Sequence, residues 1–172
     1  MRAFLVLGPE SSGTRLMTKL LISAGCNGDD GNRQRFDAVP AFGDHVVWRR
    51  SLPHGGVWPN LSKCVSRLRS AGYSVLVVVM SRDWNAIQLS QVASGHVDET
   101  FVAHNHIREA YRIIFNAITR EGVDYEIVNY ETLCGHELAV SSLLERLGLT
   151  SQEPVAIYDG NAKYYQGGED GE

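Results

Sequence analysis

The chain has 172 residues, 44% of them apolar and 21% charged, with a formal net charge of −4; this is the size of one globular domain with enough apolar material for a core. Its apolar runs fall short of the ~20 residues that a membrane-spanning helix needs, and Phe4 to Leu7 is too short for the apolar stretch of a signal peptide. The three cysteines, Cys26, Cys64 and Cys134, are odd in number and far apart; this fits neither a disulfide framework nor zinc-ligand spacing, so a reducing, cytoplasmic protein without a structural metal is expected.

Residues 2–7 read as a buried strand. The stretch that follows, GPESSGTR, carries Gly8 and Gly13 at the spacing of a Walker A loop and runs into a helix over 13–25, with Leu16, Leu20, Leu21 and Ala24 on one face. Glycines let successive backbone amides turn inward, and the following helix adds its positive end. A phosphate-binding loop made by Gly8, Pro9, Ser11, Ser12, Gly13, Thr14 and Arg15 is therefore expected. It departs from a standard ATPase loop: Thr14 holds the lysine position, and Arg15 stands where the Ser/Thr ligand of magnesium is usual. A guanidinium is always charged and grips oxyanions bidentately, so Arg15 is the catalytic candidate to take over the role of the lysine. Glu10 is a carboxylate inside an anion-binding loop. It is a candidate general base or magnesium-shell ligand unless it points to solvent.

Residues 26–44 read as a long polar loop, a feature that is often functional in a compact domain. It holds Asp37, a second base candidate, and Arg33 and Arg35, candidates for a lid over phosphates. His45–Trp48 reads as a second strand. Arg49, Arg50 and Ser51 follow it, with His54 in the turn-rich PHGGVWP; these four are substrate-contact candidates. Two adjacent arginines could serve cofactor and acceptor phosphate separately, and His54 could accept a proton. A helix over 60–71 comes next, then a β-branched strand over 73–80 that suits a sheet covered on both faces. Helices over 84–93 and 99–121, a strand at Tyr125–Asn129 and a helix over 137–147, stopped at Gly148, complete the reading. Residues 1–165 form one domain; 166–172 are expected to be a disordered acidic tail. Tyr158, Lys163, Tyr164 and Tyr165 read as a strand or arm packed on the domain, with closure over the adenine or the acceptor as the alternative.

From His45 to Arg82 there is no Asp or Glu, while Arg49, Arg50, Lys63, Arg67, Arg69 and Arg82 are all present. A cationic middle on an acidic chain points to a local anionic ligand, although Lys63, Arg67 and Arg69 by themselves read as a solvated helix face. Trp48, Trp58 and Trp84 offer flat surfaces to a base, with Trp48 read as core because it lies on a strand. Strands alternating with helices predict a P-loop-type α/β three-layer sandwich with a mainly parallel sheet. Ligands of such folds sit at the carboxyl ends of the strands.

Two resemblances extend this reading. LGPESSGTRLMTKLL resembles the 5′-phosphosulfate loop of the sulfotransferase superfamily, which often shows Ser-Gly-Thr at this point. VVVMSRDWNAIQLS, with Arg82 and Ser90 eight apart, is similar to that family's pair for the 3′-phosphate. YEIVNYETLC followed by LLERLGL is similar to its later strand, Tyr-Glu segment and closing helix. This resemblance implies 3′-phosphoadenosine 5′-phosphosulfate as cofactor, with Arg82 and Ser90 among its contacts. The chain departs from it in having Glu10 and Ser11 where a basic residue usually precedes Ser-Gly, and in lacking room for the usual acceptor-binding additions. The compact size, the acidic GPESSGTR loop and WRRSLPHGG resemble a second group, the small bacteriophage P-loop kinases of the 5-hydroxymethyluracil DNA kinase type. That resemblance implies ATP with Mg2+ as cofactor, phage DNA carrying a modified pyrimidine as partner, and the host cytoplasm as location. The reaction would be phosphorylation of the hydroxymethyl group, a step in thymidine hypermodification. The kinase is the preferred expectation; a sulfotransferase and an inactive nucleotide-binding module are the alternatives.

Overall fold

The apolar run that opens the chain leaves no polar position for a solvated face, and it forms β1 (Arg2–Pro9), buried from Ala3 onward. In the computed structural model, which describes residues 1–28, 43–136, 138–150 and 155–165, β1 lies between β2 (His45–Leu52) and β3 (Ser74–Ser81). With β4 (Asp124–Asn129) these make a four-stranded sheet of order β2-β1-β3-β4, and every pairing is parallel.

The period of two along a strand sorts the core into two clusters. Ala3, Leu5 and Leu7 join Trp48, Val77 and Val79 beneath α2 (Leu61–Ser70) and α4 (Thr100–Glu121). Phe4 and Val6 join Val47, Val78 and Met80 beneath α1 (Thr14–Ser23), α5 (Tyr130–Gly135) and α6 (Ala139–Arg146). The fold is thus a three-layer parallel α/β sandwich, and burial on both faces explains why the strands read as continuous apolar runs. α3 (Trp84–Ala93) packs on α4.

β2 continues to Leu52, beyond the end expected at Trp48. Arg49, Arg50 and Ser51 are therefore strand residues in register with Val6, Leu7 and Gly8. The ladder to β1 carries them, where residue type alone argued for a strand end. A short helix not anticipated from the sequence, α5, follows β4 directly. Asn129 starts it, with Oδ1 accepting from the Thr132 amide at 2.8 Å. The helix expected over 137–147 is α6, and Glu137 lies outside the described residues, as does the tail over 166–172. From β1 the chain goes to β2 on one side, whereas β3 and β4 lie on the other. Connections diverge at such a switch point and leave a crevice at the carboxyl ends of β1 and β3.

Candidate functional site at the carboxyl edge

The loop after β1 is shaped by close approach. A Cβ on Gly8 would stand 2.3 Å from Ser12 Oγ, and one on Gly13 would stand 2.7 Å from Tyr130 Cδ2. Gly13, at φ 94°, opens α1 without a side-chain cap. Ser11 is also left-handed, at φ 68°, and Arg82 Nη1 donates to its carbonyl at 2.7 Å. Ser12 is fully buried, and its hydroxyl has no hydrogen-bond partner among the described residues. A buried hydroxyl left so costs about 1–3 kcal/mol, which a ligand oxygen would offset. Thr14, at the lysine position, is buried, with Oγ1 3.0 Å from Ser51 Oγ; this contact ties α1 to the end of β2. Arg15 is exposed on the first turn of α1, and Pro9 ends β1 in register with Leu52.

Glu10 does not point to solvent. It is 8% exposed; Oε1 accepts from the Gly55 amide at 2.9 Å, and Oε2 lies 3.7 Å from His96 Nδ1. Its carbonyl accepts from Gln91 Nε2 at 2.8 Å. The carboxylate thus joins the loop to the turn after β2 and to the end of α3. In that turn, burial first and the charges of Arg49 and Arg50 second push the His54 pKa below its usual 6.5. The same causes disfavour its protonated form.

The two adjacent arginines part company. Strand alternation sets Arg50 with Trp48 and Leu52 on the α2 side, its Cζ 4.4 Å above the Trp48 ring and its Nη1 donating to the Arg49 carbonyl at 2.8 Å. Arg49 shares the face of Val47 and Ser51, toward α1. Both are buried, at 4% and 0% exposure, so neither presents its side chain on the outer surface of the described residues.

Arg82 leaves β3 into a dense network. Nε donates to Asn161 Oδ1 at 2.7 Å, and Cζ lies 4.5 Å above the Tyr130 ring. Tyr130 Oη donates to the Tyr158 carbonyl at 3.0 Å and accepts from the Gly160 amide at 2.9 Å. Glu131 Oε1 accepts from Asn161 Nδ2 at 2.8 Å and from the Asp83 amide at 2.9 Å. Ser90, eight residues on along α3, lies beside Tyr164; burial opposes ionisation of that phenol, but Ser90 and Lys163 outweigh it and lower its pKa. The described tail therefore packs as an arm over both Arg82 and Ser90.

The structure brings Gly8, Ser11, Ser12, Gly13, Thr14, Ser51 and Arg82 to one edge. Asp37, Arg33 and Arg35 lie outside the described residues. Sequence reasoning missed the role of Tyr130, Glu131 and Asn161. The Tyr-Glu pair was visible after β4, whereas Asn161 carried no signal. Among the described residues no cluster of three or more His, Cys, Asp or Glu side chains could hold a metal ion, and no helix is long and apolar enough to cross a membrane. The chain matches no protein-family model and no curated protein.

Proposed function

We propose that the protein is a P-loop group transferase, an ATP-dependent kinase that phosphorylates the hydroxymethyl group of 5-hydroxymethyluracil in phage DNA. The observation that carries nucleotide binding is the buried, unpartnered Ser12 hydroxyl, set in a loop where Gly8 and Gly13 leave no space for a side chain. Such a hydroxyl is matched to a phosphate oxygen, and the uncapped amides of α1 reinforce it. The choice of acceptor rests on the likeness of the loop and of WRRSLPHGG to the phage kinases.

The residues present fit ATP with Mg2+. Ser12 and the loop amides would hold phosphate, and the paired hydroxyls of Thr14 and Ser51 would offer oxygens to the ion. A bound Mg2+ would neutralise charge on the transferring phosphoryl group. Arg15 supplies the positive charge that a lysine usually brings. The acceptor hydroxyl oxygen would form the new bond to the γ-phosphorus as the bond to ADP breaks, and the proton would pass to Glu10 or to His54.

A sulfotransferase is the second reading, favoured by the nearness of Arg82 and Ser90 to the same crevice. It requires residues 160–164 to release both, because Asn161 holds one and Tyr164 lies against the other. The deciding experiment supplies ATP labelled at the γ-phosphate with duplex DNA containing 5-hydroxymethyluracil, and with thymine DNA as control. Label in the modified DNA alone is the expected outcome. Sulfate transfer from 3′-phosphoadenosine 5′-phosphosulfate in its place would establish the second reading, and nucleotide binding without either transfer would leave an inactive module.

A further inference from the structure

Glu10 is held at its backbone and at its carboxylate. Its amide donates to the Leu52 carbonyl at 3.3 Å, and its carbonyl accepts from Gln91 Nε2 at 2.8 Å. Oε1 accepts from the Gly55 amide at 2.9 Å, and Oε2 lies 3.7 Å from His96 Nδ1. The end of β2, the turn after it and the end of α3 thus fix one residue from three sides. That residue is also a corner of the phosphate loop. The Ser12 amide donates to the Pro9 carbonyl at 3.1 Å, so Glu10 and Ser11 make the bend between them. Glu10 therefore shares a turn with Ser12, whose hydroxyl lacks a partner among the described residues.

A carboxylate buried in a loop that takes phosphate repels its ligand unless positive charge comes to meet it. His96 is the group placed to bring that charge. Gly95, left-handed at φ 66°, turns the chain back after α3, and the His96 amide reaches the Gln91 carbonyl at 2.9 Å. The last turn of α3 therefore sets both Gln91 and His96 against Glu10. The His96 side chain is 39% exposed and that of Glu10 11%, so the imidazole has far more access to an incoming hydroxyl than the carboxylate behind it. With Nδ1 toward Glu10, Nε2 is the nitrogen left to accept a proton. His54 is placed less well for this task, because burial and the charges of Arg49 and Arg50 disfavour a proton there.

We propose that Glu10 and His96 act as one proton-accepting pair, in which His96 is the catalytic base and Glu10 positions it. The assignment rests on the reading of the site as a kinase that attacks with a hydroxyl. The acceptor oxygen bonds to the γ-phosphorus as the bond to ADP breaks, and the hydroxyl proton moves to His96 Nε2. The Glu10 carboxylate faces the imidazolium so formed and holds the ring in place, as the carboxylate of a hydrolase triad does. The proton then leaves from the exposed imidazole to water. At 3.7 Å the pair stands at ion-pair distance; catalytic contacts of this kind shorten when substrates are bound.

Two measurements test the pair, one of them independent of turnover. The first is transfer of labelled γ-phosphate to 5-hydroxymethyluracil DNA by His96→Ala, Glu10→Gln and the double variant, each checked for an unaltered melting temperature. His96→Ala should lower kcat at least about 100-fold with little change in KM for ATP, and imidazole added to the buffer should restore much of the lost rate. Glu10→Gln, which keeps an oxygen for the Gly55 amide, should lower kcat less. The double variant should fall within about threefold of His96→Ala, as groups that act as a unit do. The second measurement follows acylation of His96 by diethyl pyrocarbonate, read by peptide mass, which ATP should slow several-fold. Transfer that survives in His96→Ala, a loss that imidazole does not restore, or acylation indifferent to ATP overturns the pair and leaves the kinase standing wherever label is transferred. Shielding of His96 by ATP with no label transferred by the unaltered protein would keep the pair at the phosphate loop and defeat the kinase.

Discussion

At Gly13 two demands meet in one residue: a left-handed φ of 94° and a Tyr130 ring 2.7 Å from where a Cβ would stand. The left-handed conformation costs an L-residue about 1–2 kcal/mol, and the ring must also shift, although its hydroxyl is bonded to Gly160 and Tyr158. Gly13→Ala should lower the melting temperature by about 2–8 °C, at roughly 2–4 °C per kcal/mol for a chain of this size. It should also weaken ATP binding at least tenfold, because the loop amides can no longer converge. Thermal melting with and without ATP reads both effects; an unaltered melting temperature and affinity would remove Gly13 from the site. The need for glycine here is legible in the sequence, since the spacing from Gly8 marks it. The ring that enforces it is not, because Tyr130 is distant along the chain. Glu10 behaves in the same way: its presence in the loop is visible, but its attachment to Gly55 and its approach to His96 follow only once the turn after β2 and the end of α3 have folded against it.

Among the elements, the arm over 155–165 depends on few anchors, and Arg82 is the chief of them. Its bonds to Asn161 and to the Ser11 carbonyl, with its stacking on Tyr130, connect arm, loop and α5. A charge-assisted hydrogen bond of this kind contributes about 1.5–3 kcal/mol, so Arg82→Ala should free the arm. Limited trypsin digestion should then cut at Lys163 at least tenfold faster, with the rest of the domain resistant. The same variant discriminates between the enzyme readings: the kinase predicts similar losses of affinity for AMP and for adenosine 3′,5′-bisphosphate. A selective loss of the bisphosphate by tenfold or more would mean that Arg82 holds a 3′-phosphate. The helices on either side of Arg82 were readable from apolar spacing and end signals, because those are local properties. The last residues of β2 were not, because the ladder to β1 that makes Arg49 and Arg50 strand residues joins segments far apart in the chain.

For the molecule as a whole, the sheet separates two cores that share its strands but not their outward faces. Leu20 belongs to one and Ile114 to the other, and both are buried. Leu20→Ala and Ile114→Ala should each cost about 2–5 kcal/mol. Together they should cost the sum to within about 0.5 kcal/mol, as expected of sites without common partners; urea unfolding of both single variants and the double variant measures this, and a shortfall above about 1 kcal/mol would show the two layers to be coupled. The amino-acid sequence by itself determined the fold class, the order of the main elements and the phosphate-loop candidate, because hydrophobic period, glycine spacing and end signals all act over a few neighbouring residues. Only the tertiary structure decided that Arg49 and Arg50 face opposite sides of the sheet at its buried edge, that the arm covers Arg82 and Ser90, and that the turn after β2 and the end of α3 meet at Glu10. Each of these depends on which strand a segment pairs with and which helix covers it, and contacts between residues far apart in the chain leave no periodic trace along it.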